Sequence, residues 1–329
     1  MAVTKKKSFR EIARSLNVSP ATVSRIAAGI GSFSEETRQT VLSALAAEGY
    51  SPQAEKEPSA PAIAAVVTDL SNELYNNILT CLTRYLGRKG YLLRIYLENQ
   101  SQEELIAHLQ SEQPAGIILL GTPLEKVRAE SFVPLIQVLS SSAVSYQGRV
   151  YRIFSDEYVG GRLAARLLLE KGCHRPVILN NRHTQSSESR RIRGFKDEWD
   201  AEAGSSGDIY IHDGEPFKSA FNSAHDIVSY LLAKGQSFDS IFACSDWRAY
   251  GALVALRDMN VPVPEKVRVV GFDGERVSRY CDQPFATIQQ NPDMIATEAM
   301  QMLLSLIDGR EVEKESLLIP VQVQRGMTV

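Results

Sequence analysis

Near the amino terminus, Ser19, Pro20, Ala21, Thr22, Ser24 and Arg25 set one guanidinium, three hydroxyls and two small apolar groups within a single short stretch. That mixture suits double-stranded DNA. Hydroxyls and cations bond phosphate oxygens, while a fork of N–H donors or a small apolar face can address a base edge. A second set is spread along the chain: Asp69, Tyr75, Phe154, Arg191, Ser245, Asp246, Trp247 and Asp273 combine carboxylates, a guanidinium, a hydroxyl and aromatic faces. These are the parts of a small-molecule site. Catalytic patterns are missing, with no Gly-x-Ser-x-Gly elbow, no phosphate loop and no His-Glu-x-x-His pair, so no enzyme activity is expected. Cys81, Cys173, Cys244 and Cys281 stand far apart without a C-x-x-C pair, and the five histidines form no pair at ligand spacing. Reduced thiols are therefore expected, with no metal and no other cofactor.

The first set needs a rigid, exposed helix. Ser8 followed by Glu11 forms a capping box, and Ile12, Ala13 and Leu16 give a first helix, ending near Asn17, one apolar stripe. Ser19 is a natural N-cap and Pro20 fits the first helical position, so a second helix starts at Pro20 with Val23 and Ile26 turned inward. Its outer face then carries Pro20, Ala21, Ser24 and Arg25. A third helix follows Ser34, with Val41, Leu42 and Leu45 inward and Thr37 and Arg38 in its first turns. Charge agrees with this reading: residues 1–30 carry a net +5 in a chain of net −3, which leaves −8 on the remainder. A basic head on an acidic body is expected when only the head meets phosphate.

Val18-Ser19-x-Ala21-Thr22-Val23-Ser24-Arg25, then Phe33-Ser34-x-x-Thr37-Arg38, then Gly49-Tyr50-Ser51-Pro52, resembles the head of the lac repressor (LacI/GalR) family of transcription regulators. The resemblance implies that Pro20, Ala21 and Arg25 meet base edges, Arg25 foremost, and that Ser19, Thr22, Ser24 and Arg38 contact phosphate. It also implies a homodimer, or a higher homo-oligomer, on an approximately palindromic operator. The stretch from Ser51 to Pro61 is charged, proline-rich and without apolar period, which marks a linker. Members of the family usually place an Asn-x-x-Ala-x-x-Leu hinge helix there. Gln53 stands at the asparagine position, Pro58 breaks a helix and no leucine precedes Ile63. The expectation is an operator that is not kinked by a leucine wedge.

Beyond Pro61, short β-branched runs alternate with amphipathic segments: Ile63–Val67, Tyr91–Tyr96, Gly116–Leu120, Pro134–Leu139, Pro176–Leu179, Ser240–Ala243 and Val267–Val270 are the strand candidates. Such alternation predicts a mostly parallel sheet with helices on both faces, and the length favours two subdomains with a cleft. Gly160-Gly161, Arg191-x-x-Gly194-Phe195, Ala249-x-Gly251-Ala252 and Gly271-Phe272-Asp273 resemble the periplasmic-binding-protein-like core of the same family. The predicted organisation is an N-terminal all-α helix-turn-helix head over 1–50, a linker over 51–61, and an α/β effector-binding and dimerisation core of two parallel-sheet subdomains over 62–329. Ligands of such folds sit at the carboxyl ends of strands. Asp69, Phe154 with Ser155 and Asp156, Ser245-Asp246-Trp247 and Asp273 all fall there, and Arg191 is read as opening a helix.

The resemblance implies that Arg191 and Asp273 hold the ligand's polar groups, and such a pair can grip vicinal hydroxyls. Tyr75, Phe154 and Trp247 offer faces for a sugar ring. Other readings stay open: Arg191 and Asp273 pair with each other, the aromatics belong to the core, and clustered Arg190, Arg191 and Arg193 serve a phosphorylated sugar. No run of apolar residues reaches membrane-spanning length and no signal segment follows the basic start. The expected protein is a cytoplasmic repressor of a carbohydrate operon under a sugar-like effector. The alternative is a small-molecule binding protein without DNA regulation.

Overall fold

The structure, a computed structural model, describes residues 7–27, 33–48, 50, 60–98, 101–121, 133–140, 149–180, 187–203, 210–213 and 218–329. Two compact units result, Met1–Ala60 and Pro61–Val329. Most of the expected linker, residues 51–59, lies outside the described residues.

In the first unit, α1 (Phe9–Ser15), α2 (Pro20–Ala27) and α3 (Glu35–Ala47) begin at their caps. Ser8 and Glu11 complete a reciprocal capping box, Ser19 Oγ accepts the Thr22 amide at 3.0 Å, and Ser34 Oγ accepts the Thr37 amide at 3.3 Å. Asn17 takes the left-handed conformation at φ 54°, which asparagine tolerates, and this reverses the chain between α1 and α2. Ile12, Ala13, Val23, Ile26, Val41 and Leu45 form the small core. Leu16 and Leu42 are half-buried at its edge. Each fully buried aliphatic side chain contributes about 1.5–3 kcal/mol.

In the second unit the chain runs β1 (Ala62–Val67), α4 (Glu73–Arg88), β2 (Leu92–Leu97), α5 (Gln102–Glu112), β3 (Gly116–Leu120), β4 (Leu135–Val138) and β5 (Tyr151–Ser155). It continues through α6 (Glu157–Leu169), β6 (Pro176–Asn180), α7 (Ser187–Ala203), β7 (Tyr210–Asp213), α8 (Ala220–Ala233), β8 (Ser240–Ala243), α9 (Asp246–Asp258), β9 (Arg268–Asp273), α10 (Val277–Tyr280) and β10 (Ala286–Gln289). It ends with α11 (Pro292–Ile307), β11 (Ser316–Ile319) and β12 (Gln322–Gln324). Two six-stranded sheets result, ordered β11-β5-β4-β3-β1-β2 and β12-β10-β9-β8-β6-β7. All pairings are parallel except β10 with β12.

Strands buried on both faces read as continuous apolar runs. In β1, Ile63, Ala65 and Val67 face α4 and α11, while Ala64 and Val66 face α5. In the second sheet, Ile241 and Ala243 face α8 and α9, while Phe242 meets Phe195 and Trp199 of α7. The chain passes between the sheets after β5, after β10 and after β11, and these crossovers are stitched together. Asp156 donates its amide to Ile319 O at 2.8 Å, and Ser155 Oγ donates to Gln290 Oε1. Every strand candidate of the sequence occurs. Arg191 lies in the second turn of α7, not at its start, because the helix already begins at Ser187.

Candidate functional site

On the head, Ser19, Pro20, Ala21, Ser24 and Arg25 are exposed on and just before α2, and Thr22, Thr37 and Arg38 are half-buried. Local bonds fix the hydroxyls: Ser19 and Thr22 share a contact of 2.8 Å, and Ser34 and Thr37 one of 2.7 Å. The Arg25 guanidinium lies 5.8 Å from the centre of the Phe33 ring, which limits its freedom without consuming its N–H groups. Tyr50 Oη donates to Lys7 O at 2.8 Å and its ring packs edge-on against Phe9, which ties the end of the head to its start. The result is a rigid helix carrying one cation, hydroxyls and small apolar groups outward.

A cavity of about 400 Å³ opens between the two sheets at the carboxyl ends of their strands, lined by residues of both. At its base the Arg191 guanidinium is held three ways: Nη2 to Glu157 Oε1 at 3.1 Å, Nη1 to Asp273 Oδ1 at 3.2 Å, and Nη1 to Cys244 O at 2.6 Å. Its Cζ also lies over the Phe272 ring, 3.8 Å from the ring centre. Close helix packing makes this possible. A Cβ on Gly161 of α6 would stand 1.9 Å from the Arg191 carbonyl, and one on Gly194 of α7 would stand 2.0 Å from that of Tyr158. With glycine at both positions the two helices approach closely enough for α6 to present Glu157 to α7's Arg191.

Asp273 sits at φ 114°, a strained conformation for a residue with a side chain, and is held there by Gln290 Nε2, which donates to Oδ1 at 2.8 Å. Through Gln290 the cleft pair is joined to Ser155 at another crossover. Tyr75 points its half-buried ring into the cavity, and its phenol is pushed up to about 12 by burial and by the nearby Asp273 charge. Trp247, exposed at the first turn of α9, Ser245 before it and Asp69 after β1 complete the wall. Arg248 Nη1 donates to Ser245 Oγ at 3.0 Å, and Lys218 at the rim pairs with Asp226 at 3.0 Å.

Two expected positions lie elsewhere. Asp246 is fully buried: its carboxylate accepts the Glu275 amide at 2.7 Å and the Thr287 hydroxyl at 2.5 Å, so it ties β9 and β10 to α9 and does not reach the cavity. Burial and the Asp273 charge raise its pKa well above the ordinary carboxylate value. Phe154 is not among the cavity-lining residues; the Arg190 guanidinium covers its ring at 5.0 Å. Of the arginine cluster, Arg191 alone points inward, Arg190 leans on Glu157 at 3.4 Å, and Arg193 is exposed beside Asp197. Glu157, Gln290, Glu275, Lys218 and Arg248 also line the cleft. Sequence reasoning did not single them out. For Gln290 a signal existed, two adjacent amides ending a β-branched run at Ala286–Gln289.

Among the described residues no group of histidine, cysteine and carboxylate side chains could hold a metal ion, and no helix is long and apolar enough to cross a membrane. Residues 8–53 match the family described as bacterial regulatory proteins, lacI family, and residues 165–329, half of the chain, match the periplasmic binding protein-like domain. The ribose operon repressor of Lactococcus lactis is 24% identical over 336 residues and the alignment covers 98% of each chain. The regulator GalR of Escherichia coli is 26% identical, covering 97% of this chain and 94% of that one. The sucrose operon repressor of Streptococcus mutans is 27% identical, covering 97% and 98%. Among solved structures, the regulator CelR in complex with cellobiose superposes with a TM-score of 0.71 at 24% identity, over 98% of this chain and 100% of that one. The lac repressor dimer bound to operator and an anti-inducer gives a TM-score of 0.70 at 22% identity, over 98% and 99%. A helix-turn-helix head followed by a two-sheet core with a cleft at its strand ends thus has its counterpart in a known group of regulators, and the chain belongs to that LacI/GalR family of bacterial transcription regulators.

Proposed function

We propose that this protein is a cytoplasmic, homodimeric repressor of an operon for carbohydrate use, controlled by a neutral sugar bound in the core cleft. The observation that carries the reading is the buried Arg191 between Glu157 and Asp273. A guanidinium flanked by carboxylates offers donors and acceptors to vicinal hydroxyls at little net charge, which suits a sugar and disfavours a phosphate ester. The ligand is bound and not transformed. The domain boundaries that go with this reading are a head over 1–50, a linker over 51–61 and an effector core over 62–329.

On the head, Arg25 is the main base reader, with Pro20 and Ala21 in apolar contact with base edges and Ser19, Thr22, Ser24, Thr37 and Arg38 on phosphates. In the cleft, Arg191 and Asp273 grip the sugar while Asp69, Tyr75, Ser245 and Trp247 enclose it. Dimerisation is supported by the edge of the first sheet, where Leu92 and Ile95 of β2 are 49% and 46% exposed. An apolar edge strand left open invites a second copy. Two-fold symmetry of the protein then calls for an approximately palindromic operator. A sugar drawing on Asp273 acts on Gln290 and, through it, on the crossovers that set the angle between the two sheets. Coupling of this kind is typically worth about 1–3 kcal/mol.

The test titrates purified protein with D-ribose, D-galactose, sucrose and cellobiose while following Trp247 fluorescence, and repeats the titration on an operator complex. Binding of one sugar together with a changed operator affinity supports the reading. A sugar that binds without moving operator affinity leaves a binding protein and refutes the regulator.

A further inference from the structure

Beside the main cavity lies a smaller one of about 190 Å³, and the two share Leu74, Asp273, Glu275 and Gln290 as common wall. Glu275 is the odd residue in that wall. It is only 7% exposed, yet its Oε2 has no hydrogen-bond partner among the described residues. A buried acceptor left unmade costs free energy, and native structures nearly always satisfy such groups with protein, water or ligand. Neighbouring cations are committed elsewhere: Arg276 donates its amide to Glu73 at 3.2 Å with its guanidinium 3.5 Å away, and Arg279 Nε donates to Gln324 Oε1 at 2.6 Å. The charges that act most on the carboxyl are the acids Asp273 and Glu73, opposed by Arg191. Burial and these acids push Glu275 up to about 8, so near neutral pH it carries a proton and both donates and accepts. With Arg276 and Arg279 of the same wall already engaged by Glu73 and Gln324, an anionic substituent would be repelled by Asp273, whereas a hydroxyl or ether oxygen would not be.

We propose that Glu275 is a specificity-determining residue of the cleft, whose carboxyl group hydrogen-bonds an oxygen of the effector that extends past the Arg191 and Asp273 pair into the smaller cavity. The effector is therefore a neutral glycoside larger than one ring, a disaccharide or a sugar with a comparable uncharged substituent. This rests on the reading of the cleft as a sugar site.

Calorimetric titration with sucrose, cellobiose, D-ribose and D-galactose tests it on the full chain, with the variants Glu275→Ala and Glu275→Gln and a melting curve for each. A disaccharide binds at least about tenfold more tightly than either monosaccharide, Glu275→Ala removes about that factor, and Glu275→Gln, whose amide still donates and accepts, keeps most of it. Monosaccharides binding as well as disaccharides, with Glu275→Ala neutral, overturn the proposal and leave the sugar site standing. Equal loss on every sugar with a lowered melting temperature assigns Glu275 a structural role and also overturns it. No binding of any of the four sugars overturns both this proposal and the sugar reading beneath it.

Discussion

Replacing Arg191 with methionine removes the guanidinium while keeping most of the stem's volume. Three contacts vanish, to Glu157 at 3.1 Å, Asp273 at 3.2 Å and Cys244 O at 2.6 Å, together with the stack on Phe272. What remains matters more than what is lost. Glu157 is buried and Asp273 nearly so; without Arg191, Glu157 keeps the more exposed Arg190 at 3.4 Å and Asp273 keeps the neutral Gln290 amide at 2.8 Å, so Asp273 is the carboxylate that loses its buried cation. Breaking a buried ion pair from one side costs about 3–5 kcal/mol, because the partner stays desolvated and unpaired. Urea unfolding of the core, followed by fluorescence of buried Trp199, should therefore show a stability loss in that range for Arg191→Met. Adding Glu157→Gln removes one of the two neighbouring negative charges that Arg191 had balanced and should return about 0.5–3 kcal/mol, the size of coupling expected between touching residues. A loss below about 1 kcal/mol, or a double variant no more stable than the single one, would refute the view that the triad is held together by compensating charge.

Arg25→Ala should weaken specific operator binding by about 1–3 kcal/mol and leave non-specific binding nearly unchanged, as read by competition with random duplex at fixed salt; equal loss on both would make Arg25 a phosphate contact. Gly161→Ala places a Cβ 1.9 Å from the Arg191 carbonyl, so α6 and α7 must separate; a loss of about 1–3 kcal/mol or more is expected, and a neutral result would contradict the packing. Glu275 has a folded pKa raised from 4.5 to about 8, so the folded chain holds a proton that the unfolded chain releases between those values. Its contribution to stability is complete below about pH 4.5 and is lost as pH rises towards 8, with a slope of up to about 1.4 kcal/mol per pH unit. Glu275→Gln should flatten the stability profile in that window, and parallel profiles for the two proteins would count against a protonated Glu275.

Local signals were legible and long-range ones were not. Ser8, Ser34 and Pro20 announce the helix starts of the head, since a cap acts within one turn, and the structure begins α1, α2 and α3 at those signals. The doubly buried strands β1, β3 and β8 announce themselves as unbroken apolar runs. β5 was harder to read because Arg152 interrupts it, its charge met by Gln137 on the neighbouring strand. β7, β11 and β12 are short and lie at or next to sheet edges, where polar residues are tolerated. Asp246 shows the limit for the site. Its place after β8 suggested the cleft, but its partners are Glu275 and Thr287, residues 29 and 41 positions away, and nothing local tells which way it turns. Glu157, Gln290 and Glu275 gain meaning from the crossovers that bring three distant segments to one point.

The claim that the exposed face of α2 reads DNA sequence is tested most directly by selecting bound duplexes from a random pool with the full chain at fixed, near-physiological salt, in the absence and presence of the four sugars. An approximately palindromic operator is expected, whose half-sites share a guanine opposite Arg25 and whose occupancy is changed by one of the sugars. No enrichment of any sequence in either condition would contradict it.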